Sequence, residues 1–127
     1  MKRIISTPDA PQAIGPYSQA IETNGTLYIS GQIAIDPVTG NLLESDIPGQ
    51  TNQILQNVGA ILKAAGYGYE DVVKCTVILT TMDHFAAMNE VYGRYYDSNR
   101  PARTTFTSPS LPKGALIEVE TIAAKSP

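Results

Sequence analysis

The 127-residue sequence predicts an α+β fold, a mixed β-sheet with two helices packed on one face. Three observations predict it. Segments with strand and helix character follow one another as strand, hairpin, helix, strand, helix and two strands. Two stretches, and no third, carry apolar residues at helical spacing. The length suffices for one two-layer core, so residues 1–127 are expected to form a single domain.

Lys2 to Ser6 is short and apolar enough for an edge strand. Pro8, Pro11 and Pro16 then enforce an extended loop, because each fixes its own φ and biases its predecessor away from helix. Gln19–Thr23 and Thr26–Gln32 flank Asn24-Gly25, the strongest short hairpin signal. Asp36-Pro37-Val38-Thr39-Gly40 reads as a turn. The first helix is bounded by a capping Asp46, a first-turn Pro48 and a stop at Gly66. Between them Ile54, Leu55, Val58, Ile61, Leu62 and Ala65 form one apolar stripe.

Val72 to Thr80 is rich in β-branched residues. Val73, Cys75, Val77 and Leu79 are expected on one face, and Lys74, Thr76 and Ile78 on the other. A second helix runs from about Asp83 to Tyr96, with Phe85, Met88, Tyr92 and Tyr95 at helical spacing and Thr81 or Asp83 as its cap. Ala102–Thr107 and Leu116–Ala124 close the sheet, which a right-handed strand–helix–strand crossover makes mixed in direction. With both helices on one face, the other still carries Tyr28, Ile78, Leu116 and Ile122. Apolar side chains grouped on an open sheet face mark an interface, so a homo-oligomer with facing sheets is expected.

A net charge of −3 and nine scattered Lys and Arg residues give no basic stripe, which argues against nucleic acid as partner. The single cysteine, Cys75, excludes an internal disulfide and fits a reducing compartment. Only Ile4-Ile5 follows the basic Lys2-Arg3, so no signal peptide is expected. No apolar run approaches bilayer length. These features give the expectation of a soluble, cytoplasmic protein. Gly66-Tyr67-Gly68 follows a helix and lacks the third glycine of a dinucleotide loop. One His and one Cys make a zinc site a poor reading.

The chemistry concentrates in Pro101-Ala102-Arg103-Thr104-Thr105-Phe106, Leu111-Pro112-Lys113-Gly114 and Ile117-Glu118-Val119-Glu120. Read as two neighbouring strands joined by a proline-bounded loop, it sets the Arg103 guanidinium near the carboxylates of Glu118 and Glu120. Arg103 offers a fork suited to a carboxylate, and Glu118 an acceptor for a water proton. That pairing suits a small carboxylic acid attacked by water.

Several segments along the chain carry a resemblance: Ala13-Ile14-Gly15-Pro16-Tyr17-Ser18-Gln19, Ile29-Ser30-Gly31-Gln32, Asp36-Pro37-Val38-Thr39-Gly40, Asn57-Val58, Ala64-Ala65-Gly66, Val73-Lys74-Cys75-Thr76-Val77, Pro101-Ala102-Arg103 and the tail just quoted. In this order and spacing they resemble the reactive-intermediate deaminase (Rid, or YjgF-type) family almost end to end. The resemblance implies a chorismate-mutase-like fold and a homotrimer whose three sheets form a central barrel, with active sites between subunits. It implies hydrolysis of 2-imino acids such as 2-iminobutanoate and 2-iminopropanoate to 2-oxo acids and ammonia, sparing pyridoxal-phosphate enzymes from damage. Neither cofactor nor metal is implied. By position, Arg103 would bind the substrate carboxylate, Glu118 would work with the attacking water, and Tyr17 would border the pocket. Ser30, Gly31 and Asn89 fall at pocket positions too. Many relatives carry Cys where this chain has Thr105, which is expected to tune substrate preference without abolishing activity.

Each residue has a duller reading. Arg103 would be a surface ion-pair partner, and Glu118 and Glu120 a solvated pair of which one neutralises Lys74. Tyr17 would be a loop tyrosine packed over the sheet. Asn89 would cap or contact backbone, Cys75 would be a core thiol, and His84 would lie exposed. Two other functions compete: an endoribonuclease or translation inhibitor, as attributed to some relatives, and a non-catalytic module binding small 2-oxo acids.

Overall fold

A computed structural model describes residues 1–126. Among these residues six strands and two α-helices follow in the order β1 (Lys2–Ile5), β2 (Ala20–Thr23), β3 (Thr26–Gln32), α1 (Ile47–Ala65), β4 (Val72–Leu79), α2 (Phe85–Tyr96), β5 (Ala102–Thr107) and β6 (Ile117–Ala124). One sheet joins all six strands in the order β1-β2-β3-β6-β4-β5. Every pair is antiparallel except β4–β5, which α2 connects in parallel, so the sheet is mixed as expected.

Local signals place most of these elements. Asn24 and Gly25 both take positive φ, 51° and 78°, and close the two-residue β2–β3 hairpin. Asp46 Oδ1 accepts the Gly49 N–H at 3.1 Å, and Gly66 ends α1 at φ 84°. Ile54, Leu55, Val58 and Ile61 are fully buried against Leu27, Val77 and Ile117 in one continuous core. The α2 signal begins two residues late. Met82–His84 forms a 3₁₀ turn capped by Thr81, and the α-helix starts only at Phe85. Val91 and Tyr96 are buried on α2 beside Met88 and Tyr92, while Tyr95 is half-buried against the same core.

Three expectations fail, each for a non-local reason. β5 and β6 are not neighbours, because β6 inserts between β3 and β4 and leaves β5 at the edge. Val73 does not face the core; it is 47% exposed, while Val72 is buried. The register between β4 and β6 slips there, pairing Val72 with Ala123 but Lys74 with Ile122, so Val73 is the extra residue of a bulge. Leu116 packs against the core instead of the open face, and its N–H donates to Gln50 Oε1 at 3.0 Å.

The face turned from the helices bears a transverse apolar row. Register sets Ile4 opposite Ile21, Ile21 opposite Tyr28, and Tyr28 opposite Ile122. Ile78 and Phe106 form a second pair beside Glu118. Ile4, Tyr28 and Phe106 are exposed. Among the described residues no helix is long and apolar enough to cross a membrane.

Candidate active site

Glu118 stands on the open face of β6, opposite Ile78, and its carboxyl lies directly over Gly31. A Cβ at position 31 would collide with Glu118 Oε2, so only glycine admits the carboxyl here. Gly31 belongs to the stretch where the β3–β6 register shifts, between Ile29 and Gln32. Next to it, Ser30 donates its hydroxyl to Ser18 O at 2.6 Å and its N–H to Gln19 O at 3.0 Å. Those bonds tie the proline-rich loop to the strand. Gln19 holds the loop from inside: its Oε1 accepts the Thr7 N–H at 2.7 Å and its Nε2 donates to Pro11 O at 2.8 Å. Sequence reasoning placed Gln19 in a motif but gave it no task. Its signal was an amide set among prolines, whose missing N–H groups leave carbonyls in search of donors.

The loop bends back so that Tyr17 borders a cavity of about 310 Å³ with Glu118, Gly31, Ile35 and Lys113. Burial pushes the Glu118 carboxyl above the usual carboxylate range, and neighbouring Glu120 pushes it further. A carboxyl poised in this way is suited to take a proton from water and return it.

Arg103 sits on β5 opposite Cys75, whose side chain is buried beneath the helices. Its guanidinium is held by α2. Nη1 donates to Asn89 Oδ1 at 2.7 Å, and the guanidinium carbon lies 4.8 Å from the Tyr92 ring centre and 5.5 Å from that of Phe85. Asn89 thus positions the arginine, in place of the capping or backbone contact its duller reading offered. Asn89, Tyr92, Arg103 and Arg100 line a second, polar cavity of about 450 Å³. Thr105 follows two residues along on the same face of β5, opposite Val77. Burial raises the Cys75 thiol above its ordinary range, which disfavours a reactive thiolate.

The sequence expectation of a guanidinium beside two carboxylates is therefore corrected within one chain. Arg103 faces the helix layer from the edge strand, and Glu118 faces away from it two strands in. One group of residues joins Glu118, Gly31 and Tyr17; another joins Arg103, Asn89 and Tyr92. Among the described residues, no three His, Cys, Asp or Glu side chains converge as a metal site requires.

Comparison with known proteins gives concordant results. Residues 7–125 match the family model described as Endoribonuclease L-PSP. A RutC family protein of Pyrococcus horikoshii is 53% identical over 98% of this chain and 99% of its own. The human 2-iminobutanoate/2-iminopropanoate deaminase is 47% identical over 100% of this chain and 93% of its own. The crystal structure of a Rid family protein from Yersinia pestis superposes with a TM-score of 0.96 at 48% identity, covering 98% of this chain and all of that one.

Proposed function

Since this chain belongs to the reactive-intermediate deaminase (Rid, YjgF-type) family, we infer that it hydrolyses reactive 2-imino acids, 2-iminobutanoate and 2-iminopropanoate among them. The products are 2-oxo acids and ammonia, and removal of the imines protects pyridoxal-phosphate enzymes. The observation that carries the mechanism is the Glu118 carboxyl, seated over Gly31 in its cavity and shifted by burial toward neutral pH. A protonated imine needs little more than a positioned water. Water adds to the C=N carbon while Glu118 accepts its proton. The proton then passes to nitrogen; as the C–N bond breaks Glu118 takes the hydroxyl proton, and ammonia leaves as the oxo group forms.

Arg103 grips the substrate carboxylate in this reading, with Asn89 and the Tyr92 ring fixing the fork. Tyr17 walls the cavity, Ser30 anchors its rim, and Thr105 touches substrate beside the clamp. Because Arg103 and Glu118 face opposite sides of one sheet, a complete site needs Arg103 from one copy at the Glu118 cavity of another. The uncovered row Ile4–Ile21–Tyr28–Ile122 supports that assembly. Three copies closing their open faces into a barrel would supply it. A reducing, cytoplasmic setting suits the buried thiol of Cys75.

The test is ammonia release from imines made in situ by an amino-acid oxidase. Parent protein accelerates it, and Arg103→Ala slows it roughly 10- to 150-fold, the worth of one charge-assisted contact. Parental rates from Arg103→Ala would remove the clamp. The family description favours a second reading, RNA cleavage. A net charge of −3 opposes it, and cleavage that persists at high salt without Arg103 would arise outside this pocket.

A further inference from the structure

The Glu118 cavity does not end at Glu118. A second cavity of about 220 Å³ adjoins it, and the two share Pro11, Gln12, Ile14, Ile35 and Lys113 as common walls. Beyond those walls the second cavity is bordered by the Asp36–Gly40 turn, with Pro37, Val38, Thr39 and Gly40 along its rim. Its lining is aliphatic apart from Gln12, Thr39 and the Lys113 chain, and it contains no carboxylate. Ile14 and Val38 flank it with 80% and 91% of their surfaces exposed. Two such exposed aliphatic residues beside a reaction cavity ask for an apolar ligand.

Backbone and side-chain hydrogen bonds brace the walls of the recess. Ile35 pairs with Leu42 in an isolated bridge, and Asn57 on α1 donates from Nδ2 to Ile35 O at 2.9 Å. Within the turn, Gly40 N–H donates to Asp36 O and Val38 N–H to Asp36 Oδ1, both at 2.8 Å. On the opposite wall Lys113, a non-glycine residue, is held at φ 57°. Backbone held in that sparsely populated region is characteristic of binding sites. An apolar recess formed in advance loses little entropy when a chain enters it.

We propose that this recess is a side-chain subsite that takes the aliphatic chains of larger 2-imino acids, of leucine or methionine size. The proposal rests on the hydrolase reading above and extends it. The substrate's C=N carbon lies at Glu118, and its side chain runs past Ile35 along Ile14 and Val38. The four-carbon imine leaves the recess empty; the leucine-derived imine fills it. The hydrolysis itself is unchanged.

The experiment compares imines generated in situ from alanine and from leucine, with parent protein, Val38→Asp and Val38→Leu. Val38 is almost wholly exposed, so both variants should fold. Val38→Asp should lower kcat/KM for the leucine-derived imine about 10-fold relative to the alanine-derived one, and Val38→Leu should retain it. As a separate readout, 4-methyl-2-oxopentanoate should inhibit the parent more strongly than pyruvate, and Val38→Asp should erase that preference. Unchanged leucine-to-alanine ratios in both variants, with alanine-derived imine still hydrolysed, would overturn the subsite alone. A parent that hydrolyses neither imine would overturn the hydrolase reading, and the subsite with it.

Discussion

At the scale of single residues, the two charged groups are tuned by different means. Arg103 is set by geometry, clasped between Asn89 Oδ1 and the faces of Tyr92 and Phe85. If the ring face is what matters, Tyr92→Phe keeps the parental KM. Tyr92→Leu raises it roughly 2- to 30-fold, the range of one cation–π contact, with a smaller change in kcat. Equal losses of kcat in both variants would point to packing alone. Glu118 is set by burial, and Glu120 adds to the shift. A base must be ionised, so the rate should fall as pH drops through the raised Glu118 pKa, giving an acid limb above the ordinary carboxylate range. Removing the like charge in Glu120→Gln moves that limb to lower pH. The same shift has a stability sign. The folded chain holds the Glu118 proton more tightly than the unfolded chain, so Glu118 favours folding at acid pH and loses that contribution as pH rises through the folded pKa. Glu118→Gln should therefore melt higher than parent at neutral pH, with the gap closing below the usual carboxylate range. Activity would be lost while stability is gained. Arg103 and Glu118 were both legible in the sequence as residue types. Their placement was not, since register parity across β4 decides which face each one takes.

At the scale of elements, what short-range chemistry determines was readable and what distant pairing determines was not. The Asn24-Gly25 hairpin and the Asp46-to-Gly66 limits of α1 rest on residues a few positions apart. Removing the α1 cap in Asp46→Ala should cost about 1 kcal/mol. That lowers the melting midpoint by about 4 °C at this size, measurable by circular dichroism. Strand order is another matter. The insertion of β6 between β3 and β4 pairs residues some ninety positions apart on the β3 side and roughly forty to fifty on the β4 side, and nothing near Ile117 announces it. The bulge at Val73 was equally hidden, because Val72 and Val73 are both β-branched and either suits the core. Gly31 shows how an element and a site constrain each other. Glycine inside a strand weakens it, yet here it makes room for the Glu118 carboxyl. Gly31→Ala pushes aside only the end of a flexible side chain, so stability should change by no more than about 0.5 kcal/mol. The displaced carboxyl should nonetheless cut activity as far as Glu118→Gln does. A Gly31→Ala protein with full activity would show that the carboxyl works from elsewhere.

At the scale of the whole molecule, a sheet with one covered face and one apolar open face is half of a structure, and Arg103 and Glu118 are divided between those two faces. An interface in which one surface meets a different surface of the next copy closes into a ring where its rotation permits, and then repeats one composite site around it. Arg103→Ala chains keep an intact Glu118 cavity, and Glu118→Gln chains keep an intact clamp. Each homo-oligomer should keep only a small fraction of parental activity. Coexpressed or refolded together in equal amounts, the two chains should regain about a quarter of parental activity, because one site in four receives an unaltered group from each side. That recovery should scale with the product of the two mole fractions and peak at equal mixing. A site completed inside one chain predicts no recovery at any ratio. The double variant Arg103→Ala/Glu118→Gln, mixed with parent, supplies the control: its chains corrupt whichever side of a site they supply. Parental activity should then fall as the square of the parental fraction for a composite site, and linearly for an independent one. The two curves diverge most at half substitution, where a single ammonia-release measurement on exchanged subunits separates them.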